Sequence, residues 1–310
     1  MAKIRSLFDT DDTVIMMDEN VNDTEKTIQD PIQMIFDTET TGLDEEDRII
    51  QVGAIVTYLK DSAYSKVFDE LCRTKDDIPI KIEAMATHGI REEQIKGKSL
   101  FSETDFIKIL NELNNEDNYL IAHNLSFDLN MLEKEGFDNK FKLIDTLQCA
   151  KHLFEIGDII NGYKVSNYKL QTFRYMMFSQ QEEDVEANKY GVEIKAHDAI
   201  GDVVILKMFL NQLREKVREK YKIEDPITVM NKMVELTNEP AEVKIINFGK
   251  HKGKTVSEIE SIDPGWLSWL YKEQKKQKDN NDPKYNNDLF HTLEKVVGSR
   301  SKKTAQSIDF

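Results

Sequence analysis

Two carboxylates stand one residue apart where a short apolar run ends, in the sequence MIFDTETTG that contains Asp37 and Glu39. If this run is a β-strand, both side chains project to the same face of its sheet. Two carboxylates on one face repel each other, and a divalent cation such as Mg²⁺ relieves that repulsion because it prefers oxygen ligands. The pair alone fits a metal site, and it fits a solvated acidic strand end at least as well.

Two further segments supply carboxylates for such a site. Asp128 enters a predicted helix that follows the apolar run YLIA, a predicted buried strand, and a short loop. His197 and Asp202 stand at the head of a long amphipathic helix, where residues five apart lie about 140° around the axis. If His197 instead lies on the preceding loop, it can reach the site while the helix holds Asp202. That arrangement suits a general base beside a rigid metal ligand.

The spacing of apolar residues predicts the elements that position these side chains. Strands are predicted at 34–36, 49–59, 63–72, 119–122 and 141–144. Helices are predicted at 82–88, 102–114, 127–135 and 168–178, with another ending near 153, whereas 179–196 is predicted as a polar loop. From Ala199 to Val217 the apolar steps of four and three residues predict a helix of about twenty residues. Three strands followed by alternating strands and helices are typical of an α/β fold with a mixed sheet.

The motifs FDTETTGL, AHNLSFD and HDAIGD, in this order, resemble the three exonuclease motifs of the DEDDh 3′→5′ exonucleases. That superfamily includes polymerase proofreading subunits, RNase T, oligoribonuclease and exonuclease X. The resemblance covers residues 32–215 and includes an MATHGI segment between the first two motifs. The tyrosine subclass carries Tyr four residues before the last aspartate, where this chain has Asp198, so the chain resembles the histidine subclass. The family implies a mixed five-stranded RNase-H-like sheet flanked by helices.

The resemblance implies a catalytic role for five residues. Asp37, Glu39, Asp128 and Asp202 match the ligands of two Mg²⁺ or Mn²⁺ ions, and His197 matches the general base that deprotonates the attacking water. Two ions about 3.5–4 Å apart can stabilise both the attacking and the leaving oxygen of an in-line displacement. The implied product is a nucleoside 5′-monophosphate released from a 3′ end.

Other positions of the motifs are implied to contact the substrate. Thr38, Thr40 and Leu43 match residues that line the terminal-nucleotide pocket of the family. His88 and Asn124 match nucleotide or phosphate contacts. These expectations rest on position within the motifs.

A second FDT sequence occurs at 8–11, within residues 1–30, which carry eight acids against three bases. No apolar strand precedes it and no Thr-Gly turn follows it, so it lacks the context of the copy at 36–39. We interpret 1–30 as an acidic N-terminal arm, and its FDT sequence as a coincidence.

A second unit is predicted after the exonuclease-like segment of 31–222 and a helix-containing connector at 223–242. The residue pattern of 243–274 predicts a strand, a Gly/Lys turn and two helices. The second helix is predicted to begin at Asp263-Pro264. The glycines of GKHKGKT stand one residue too close together for a P-loop, which excludes that phosphate cradle. The segment instead resembles the small α+β C-terminal module of exonuclease-X-like enzymes. Residues 275–310 are predicted as a polar tail with one helix candidate at 289–297.

The local net charge of this unit becomes positive around its lysines, although the formal net charge of the chain is −15. Four lysines, including Lys250, Lys252 and Lys254, occur in residues 244–254 without a single acid. This reversal favours a contact with a nucleic-acid backbone, with a solvated turn as the alternative. Trp266 and Trp269 are expected to fill the core of the small unit.

Composition argues against several other classes of protein. No run approaches the roughly 18 apolar residues of a membrane span. The N-terminal MAKIR lacks the apolar stretch of a signal peptide, and the two cysteines have no metal-like spacing. We therefore expect no membrane association and a cytoplasmic location.

The expected function is a metal-dependent 3′→5′ exonuclease that prefers DNA 3′ ends over RNA. The DNA preference follows from the exonuclease-X-like module, which the RNase T and oligoribonuclease relatives lack. An RNA 3′-end exonuclease is the alternative within this class. A polymerase-associated proofreading or accessory subunit is the alternative from another class, so a polymerase or a second copy of the chain is a candidate partner.

Overall fold

The computed structural model describes residues 30–60, 65–75, 78–194, 198–282 and 284–306. The described chain forms two compact units, of which the first runs to Thr146 and resumes from Phe178 to Met230. The second comprises Leu147–Met177 and the chain from Asn231 onwards. This division differs from the predicted consecutive domains at 147–177, which pack with residues far along the chain, and the predicted domain boundaries stay a prediction. Within the described ranges, no helix has the length and apolar character that crossing a membrane requires.

The first unit is built on a mixed five-stranded sheet. Its strands are β1 (Ile32–Thr40), β2 (Ile49–Tyr58), β3 (Ser65–Leu71), β4 (Tyr119–Ala122) and β5 (Lys142–Asp145). They lie in the order β3-β2-β1-β4-β5. The pairs β1–β2 and β2–β3 are antiparallel, whereas β1–β4 and β4–β5 are parallel. This topology confirms the predicted RNase-H-like sheet and places β1 at its centre.

Helices flank the sheet and continue through the second unit. In chain order they are α1 (Ile82–His88), α2 (Glu92–Ile95), α3 (Asp105–Glu112), α4 (Leu125–Lys134), α5 (Thr146–Leu153), α6 (Leu170–Met177), α7 (Gln180–Tyr190), α8 (Ala199–Tyr221), α9 (Pro226–Asn238), α10 (Val256–Ile262), α11 (Pro264–Asp279) and α12 (Asn287–Gln306). A two-stranded ribbon of β6 (Ile159–Ile160) and β7 (Tyr163–Lys164) lies between α5 and α6 in the sequence. The predicted helices are confirmed as elements, with ends shifted by a few residues.

The predicted polar loop at 179–196 is wrong, because most of it forms α7. Ser179 accepts a hydrogen bond from the Glu182 backbone, and the Glu182 carboxylate accepts one from the Ser179 backbone. This capping box satisfies donors that a helix start leaves free. Gly191 ends the helix in the left-handed conformation. The sequence contains this capping box as a helix-start signal, but the Gln- and Glu-rich composition of the stretch favoured a loop.

The sheet is buried on both faces. On one face, Phe36 of β1 stacks on Phe106 of α3 with ring centroids 6.1 Å apart. On the other face α8 packs across β1 and β2. The predicted apolar stripe of α8 from Ala199 to Val217 is fully buried, which confirms its role as the packing face.

The second unit has its own core, to which α10, α11 and α12 contribute. Its buried residues are Ile246, Val256, Ile259, Leu267, Leu270, Leu289 and Leu293. The predicted strand near 243 is reduced to a single bridge between Ile245 and Thr255. The helix predicted at 289–297 is confirmed as part of α12, which supplies two buried leucines to this core. The rest of the predicted tail differs, since α11 extends to Asp279. The predicted acidic arm, with its FDT sequence at 8–11, lies outside the described residues except for Asp30.

Candidate active site

Asp37 and Glu39 lie on the last residues of β1 and face the start of α8. In the antiparallel register Asp37 pairs with Gly53 and Glu39 pairs with Gln51 of β2. Directly paired residues point to the same side of a sheet, so all four lie on the α8 face. A register shift between Glu39 and Thr40 ends the regular pairing. Both carboxylates are partly exposed, as a site open to substrate requires.

Gly53 lets the first turn of α8 approach β2. A Cβ atom on Gly53 would lie 2.5 Å from the Ala199 carbonyl carbon and 2.7 Å from its oxygen. Those distances are far below van der Waals contact, so only glycine permits this packing. The same first turn carries Asp202. Gly53 was not among the predicted site residues, although a glycine inside the apolar strand IIQVGAIV is a signal of close backbone approach.

Gln51 ties the start of α8 to the sheet. Its Nε2 donates hydrogen bonds of 2.9 Å to the carboxylates of Asp69 on β3 and Asp198, the N-cap residue of α8. The side chain of Gln51 is buried. His197, the predicted general base, lies outside the described residues. Gln51 was also missed, and nothing in the local pattern distinguishes it from other polar strand residues.

Asp128 is held in place by Thr38 of β1. Its Oδ1 accepts a hydrogen bond of 2.7 Å from the Thr38 hydroxyl and one of 3.1 Å from the Thr38 backbone N–H. Both residues are buried. Because parallel strands β1 and β4 end at the same edge, the α4 residue that follows β4 reaches the end of β1. The structure therefore places Thr38, predicted to line the nucleotide pocket, in contact with a catalytic candidate.

The four carboxylates lie within electrostatic range of one another. Burial raises the pKa of Glu39 to about 8, and the charges of Asp202, Asp128 and Asp198 add to the effect. Burial also raises the pKa of Asp37 well above its ordinary value, helped by Asp128, Glu39 and Asp202. Burial raises the pKa of Asp128 to about 7, while the hydrogen bonds from Thr38 oppose the rise. The site thus concentrates negative charge where water cannot fully stabilise it.

This donor set suits a divalent cation. Carboxylate oxygens are the ligands that Mg²⁺ prefers, and a cation would relieve the repulsion that raises the pKa values. Across the described ranges, no group of three or more His, Cys, Asp or Glu side chains is close enough to hold a metal ion by itself. A magnesium site of this type takes only part of its coordination from protein, with water and substrate phosphate supplying the rest.

The predicted pocket residues Thr40 and Leu43 lie at the end of β1 and in the ordered turn that follows it. The hydroxyl of Thr40 donates to the Gly42 carbonyl at 2.7 Å, and the Leu43 side chain is 80% exposed at the tip. A buried carboxylate that the sequence analysis missed, Asp47, accepts hydrogen bonds from Thr41 at 2.8 Å and from Lys81 at 2.6 Å. These bonds fix the turn, so Leu43 is presented to solvent from a rigid base.

His88 and Asn124 have structural contacts in addition to their predicted substrate roles. The Ile90 backbone donates to His88 Nδ1 at 3.0 Å, which leaves Nε2 as the donor to the Thr40 carbonyl at 3.2 Å. Burial lowers the pKa of His88, which favours this neutral form. Asn124 adopts the left-handed conformation at φ 70°, tolerated by asparagine, and starts α4. Substrate contact by either residue stays a prediction.

The lysines of the second unit differ in their contacts. Lys250 forms an ion pair of 2.6 Å with Asp263, and Lys244 pairs with Glu155. Lys252 and Lys254 are exposed, and neither forms an ion pair with any other described residue. Their contact with nucleic acid also stays a prediction.

Comparison with known families identifies the family to which the chain belongs. A family model described as Exonuclease matches residues 34–209, which is more than half of the chain. The chain belongs to the exonuclease family. A second model, described as Exodeoxyribonuclease X-like C-terminal, matches residues 246–275. Both matches confirm the predicted resemblance, and the first covers all four carboxylates.

Two relatives and one solved structure illustrate what this exonuclease is similar to. Exodeoxyribonuclease 10 of Escherichia coli strain K12 is 27% identical over 250 residues, which cover 76% of this chain and 89% of that protein. DNA polymerase III subunit epsilon of Rickettsia prowazekii is 36% identical over 153 residues, 44% of this chain and 63% of that protein. The solved structure of exonuclease X with 5′ overhanging duplex DNA matches at 18% identity with a TM-score of 0.41, covering 65% of this chain and 99% of that one.

Replacing Gly53 by alanine is expected to displace the first turn of α8, because the new methyl group overlaps the Ala199 backbone. We expect a loss of about 1–3 kcal/mol in the free energy of unfolding, as for other overpacked sites. Activity should fall by about 100-fold, since a small displacement of catalytic groups has that effect. Thermal unfolding and steady-state kinetics measure both quantities. Gly298→Ala, where a Cβ meets nothing within 4 Å, is the control; equal behaviour of the two variants would contradict the role of Gly53.

Replacing Thr38 by valine removes one hydrogen bond to Asp128 while keeping the side-chain volume. The pKa of Asp128 should rise further, because that bond stabilises the charged form. We expect activity and apparent Mg²⁺ affinity to fall by about 10–100-fold, the usual effect of losing a residue that orients a metal ligand. Thr38→Ser keeps the hydroxyl and should retain most activity. Titration of activity with Mg²⁺ separates the two variants, and identical curves would contradict the positioning role.

Metal binding by this exonuclease is expected to release protons at neutral pH. Glu39 and Asp128 have raised pKa values of about 8 and about 7, so both are partly protonated in the metal-free protein. Metal must displace those protons, so apparent affinity should increase from about pH 6 to about pH 9 and then level off. Calorimetric titration with Mn²⁺ in buffers of different ionisation enthalpy counts the protons. Glu39→Gln should release fewer, and a wild-type protein that releases none at pH 7 would contradict the assignment.

Proposed function

We propose that this chain is a metal-dependent 3′→5′ exonuclease that removes nucleoside 5′-monophosphates from DNA 3′ ends. The observation that carries the proposal is the convergence of Asp37, Glu39, Asp128 and Asp202. Burial raises the pKa of Asp37 and of Glu39, and the charges of the neighbouring carboxylates add to the rise. A relative named Exodeoxyribonuclease 10, aligned over 89% of its length, supports both the activity and the DNA substrate.

The four carboxylates would hold two Mg²⁺ or Mn²⁺ ions. When bound, such ions polarise the scissile phosphodiester and lower the pKa of a coordinated water. The protein supplies the fixed positions of the oxygens. The pairing of β1 with β2 holds Asp37 and Glu39, Thr38 holds Asp128, and the packing of α8 at Gly53 holds Asp202.

The chemical step is the hydrolysis of the last phosphodiester. A water oxygen attacks the phosphorus, the bond to the 3′ oxygen of the preceding nucleotide breaks, and a 5′-mononucleotide leaves. We assign proton acceptance from the attacking water to His197, whose ordinary pKa near 6.5 suits a base at neutral pH. The next residue, Asp198, is hydrogen-bonded to Gln51, which anchors the chain beside this base. Leu43, exposed on its rigid turn, is proposed to pack against the terminal base.

A proofreading or accessory role with a polymerase is a second candidate. It is favoured by the 36% identity to a DNA polymerase III subunit epsilon, of which the alignment spans 63%. That alignment covers 44% of this chain, whereas the match to Exodeoxyribonuclease 10 covers 76%. The longer match favours an exodeoxyribonuclease over a polymerase subunit.

Cleavage of 5′-labelled oligonucleotides tests the proposed function. Single-stranded DNA should give a ladder that shortens from the 3′ end, with 5′-mononucleotides as the product, and chelation of Mg²⁺ should stop it. RNA of the same sequence measures the substrate preference. Asp37→Ala should reduce the rate at least about 100-fold, exceeding the 10–100-fold effect of residues that only orient metal ligands.

Glu116→Ala, which changes an exposed acid in the same unit, is the matched control for that assay. Undiminished cleavage by Asp37→Ala would remove the basis for the site assignment. Internal cuts, or shortening from the 5′ end, would contradict the proposed reaction while leaving a nuclease site in place.

A further inference from the structure

Three aromatic side chains form a row on the second unit. The ring of Trp266 lies 6.2 Å from the ring of Phe248 and 6.3 Å from that of Trp269, between centroids. We call these three residues the aromatic row. Phe248 precedes the Gly/Lys turn, and the two tryptophans lie one turn apart on α11.

The inner ring of the row is held firmly. Trp266 packs partly against the core of the unit. His251 contacts it edge-on with centroids 4.9 Å apart, and the His251 Nε2 bonds to Asp263 at 2.9 Å. Asp263 also accepts a hydrogen bond from the Trp266 backbone at the start of α11. The turn and the helix start thus fix one ring from two sides.

The outer rings of the row are exposed. Trp269 is 56% exposed and Phe248 is 41% exposed. The expectation that both tryptophans fill the core is therefore wrong for Trp269, which follows the exposed face of α11. Exposed apolar patches on soluble proteins mark interaction sites, and aromatic side chains contribute much of the binding energy there.

Lysines continue the surface that Trp269 begins. Lys272 and Lys276 stand three and seven residues after Trp269, so all three lie along one face of α11. Both lysines are exposed, and neither forms an ion pair with another described residue. Residues 243–278 contain eight lysines and four acidic residues, in a chain whose net charge is −15. The face that carries the aromatic row is therefore suited to an anionic partner.

We propose that the aromatic row and the Lys272–Lys276 face of α11 bind an unpaired nucleic-acid strand. Unpaired bases stack on Phe248 and Trp269, while the lysines contact the backbone phosphates. Combined aromatic and cationic surfaces bind single strands with little sequence preference, because every base presents a π face. A duplex hides its base faces, so this surface favours the unpaired strand. The inference deepens the proposed function, on which it rests for the statement that the strand is the enzyme's substrate.

Intrinsic fluorescence tests the proposal directly, because the only two tryptophans of the chain are Trp266 and Trp269. The full chain carrying Asp37→Ala is titrated with a closed circle of oligothymidylate, which has no 3′ end to enter an exonuclease site. We expect quenching of tryptophan fluorescence on binding. Relaxed closed circular duplex DNA should quench far less. Binding of the circle can be measured even if the exonuclease assay shows no activity. Conversely, failure of the circle to bind would not affect the result of the exonuclease assay.

Variants assign the binding to the proposed surface. Phe248→Leu and Trp269→Leu should each weaken binding of a labelled circle by roughly tenfold, the effect of one lost base stack. Lys272→Gln with Lys276→Gln should reduce the slope of log affinity against log salt by roughly 0.7 for each lysine. Tyr175→Ala, which removes a 70% exposed aromatic side chain elsewhere in the same unit, should change neither quantity.

Three results would overturn the proposal. The first is unchanged affinity and salt slope in all of these variants, and the second is equal affinity for the duplex. The third is a loss of self-association in Trp269→Leu, measured by light scattering, without any change in binding of the circle. That outcome would identify the row as an interface with a second copy of the chain. Circular dichroism of each variant confirms that reduced binding does not come from unfolding.

Discussion

Mutual repulsion among four carboxylates is the constraint on which the first unit depends. Burial raises the pKa of Asp37 and of Glu39, and the charges of Asp128 and Asp202 add to the effect. An isolated group would escape by turning into solvent or by taking up a proton. Here the strand pairing and the packing of α8 restrict rotation of these side chains into solvent. A bound cation would stabilise their ionised forms in place of a proton. The site is therefore poor for the stability of the metal-free protein and well prepared for metal, as expected of a functional site.

Three contacts of very different kinds hold this charge in place. Gly53 contributes by the absence of a side chain, which allows α8 to approach β2. Gln51 contributes two hydrogen bonds that join β2, β3 and the start of α8. Thr38 contributes a hydroxyl and a backbone N–H to one oxygen of Asp128. Each contact links elements distant in sequence, so the precision of the site is a property of the whole sheet.

The mixed sheet, the long helix α8 and the convergence of the four carboxylates could be predicted from the sequence, because each has a periodic or motif signal. The contacts that position the set were not predictable in the same way. Gly53 and Gln51 contact residues far along the chain, and the carboxylate of Asp47 pairs with Lys81, 34 residues away. Composition outweighed the local signals at 179–196, where Ser179 caps a helix inside a polar stretch.

The large negative charge of the chain does not oppose a polyanionic substrate. At physiological salt, charges separated by more than about 8 Å are largely screened, so the substrate responds to the local surface and not to the total. At the active site the local charge is negative, and bound cations would reverse it. On α11, Lys272 and Lys276 supply positive charge without metal, and Trp269 adds an attraction that salt does not screen. Metal removal and added salt should therefore separate the two sites: chelation acts on the first, and ionic strength weakens only the lysine part of the second.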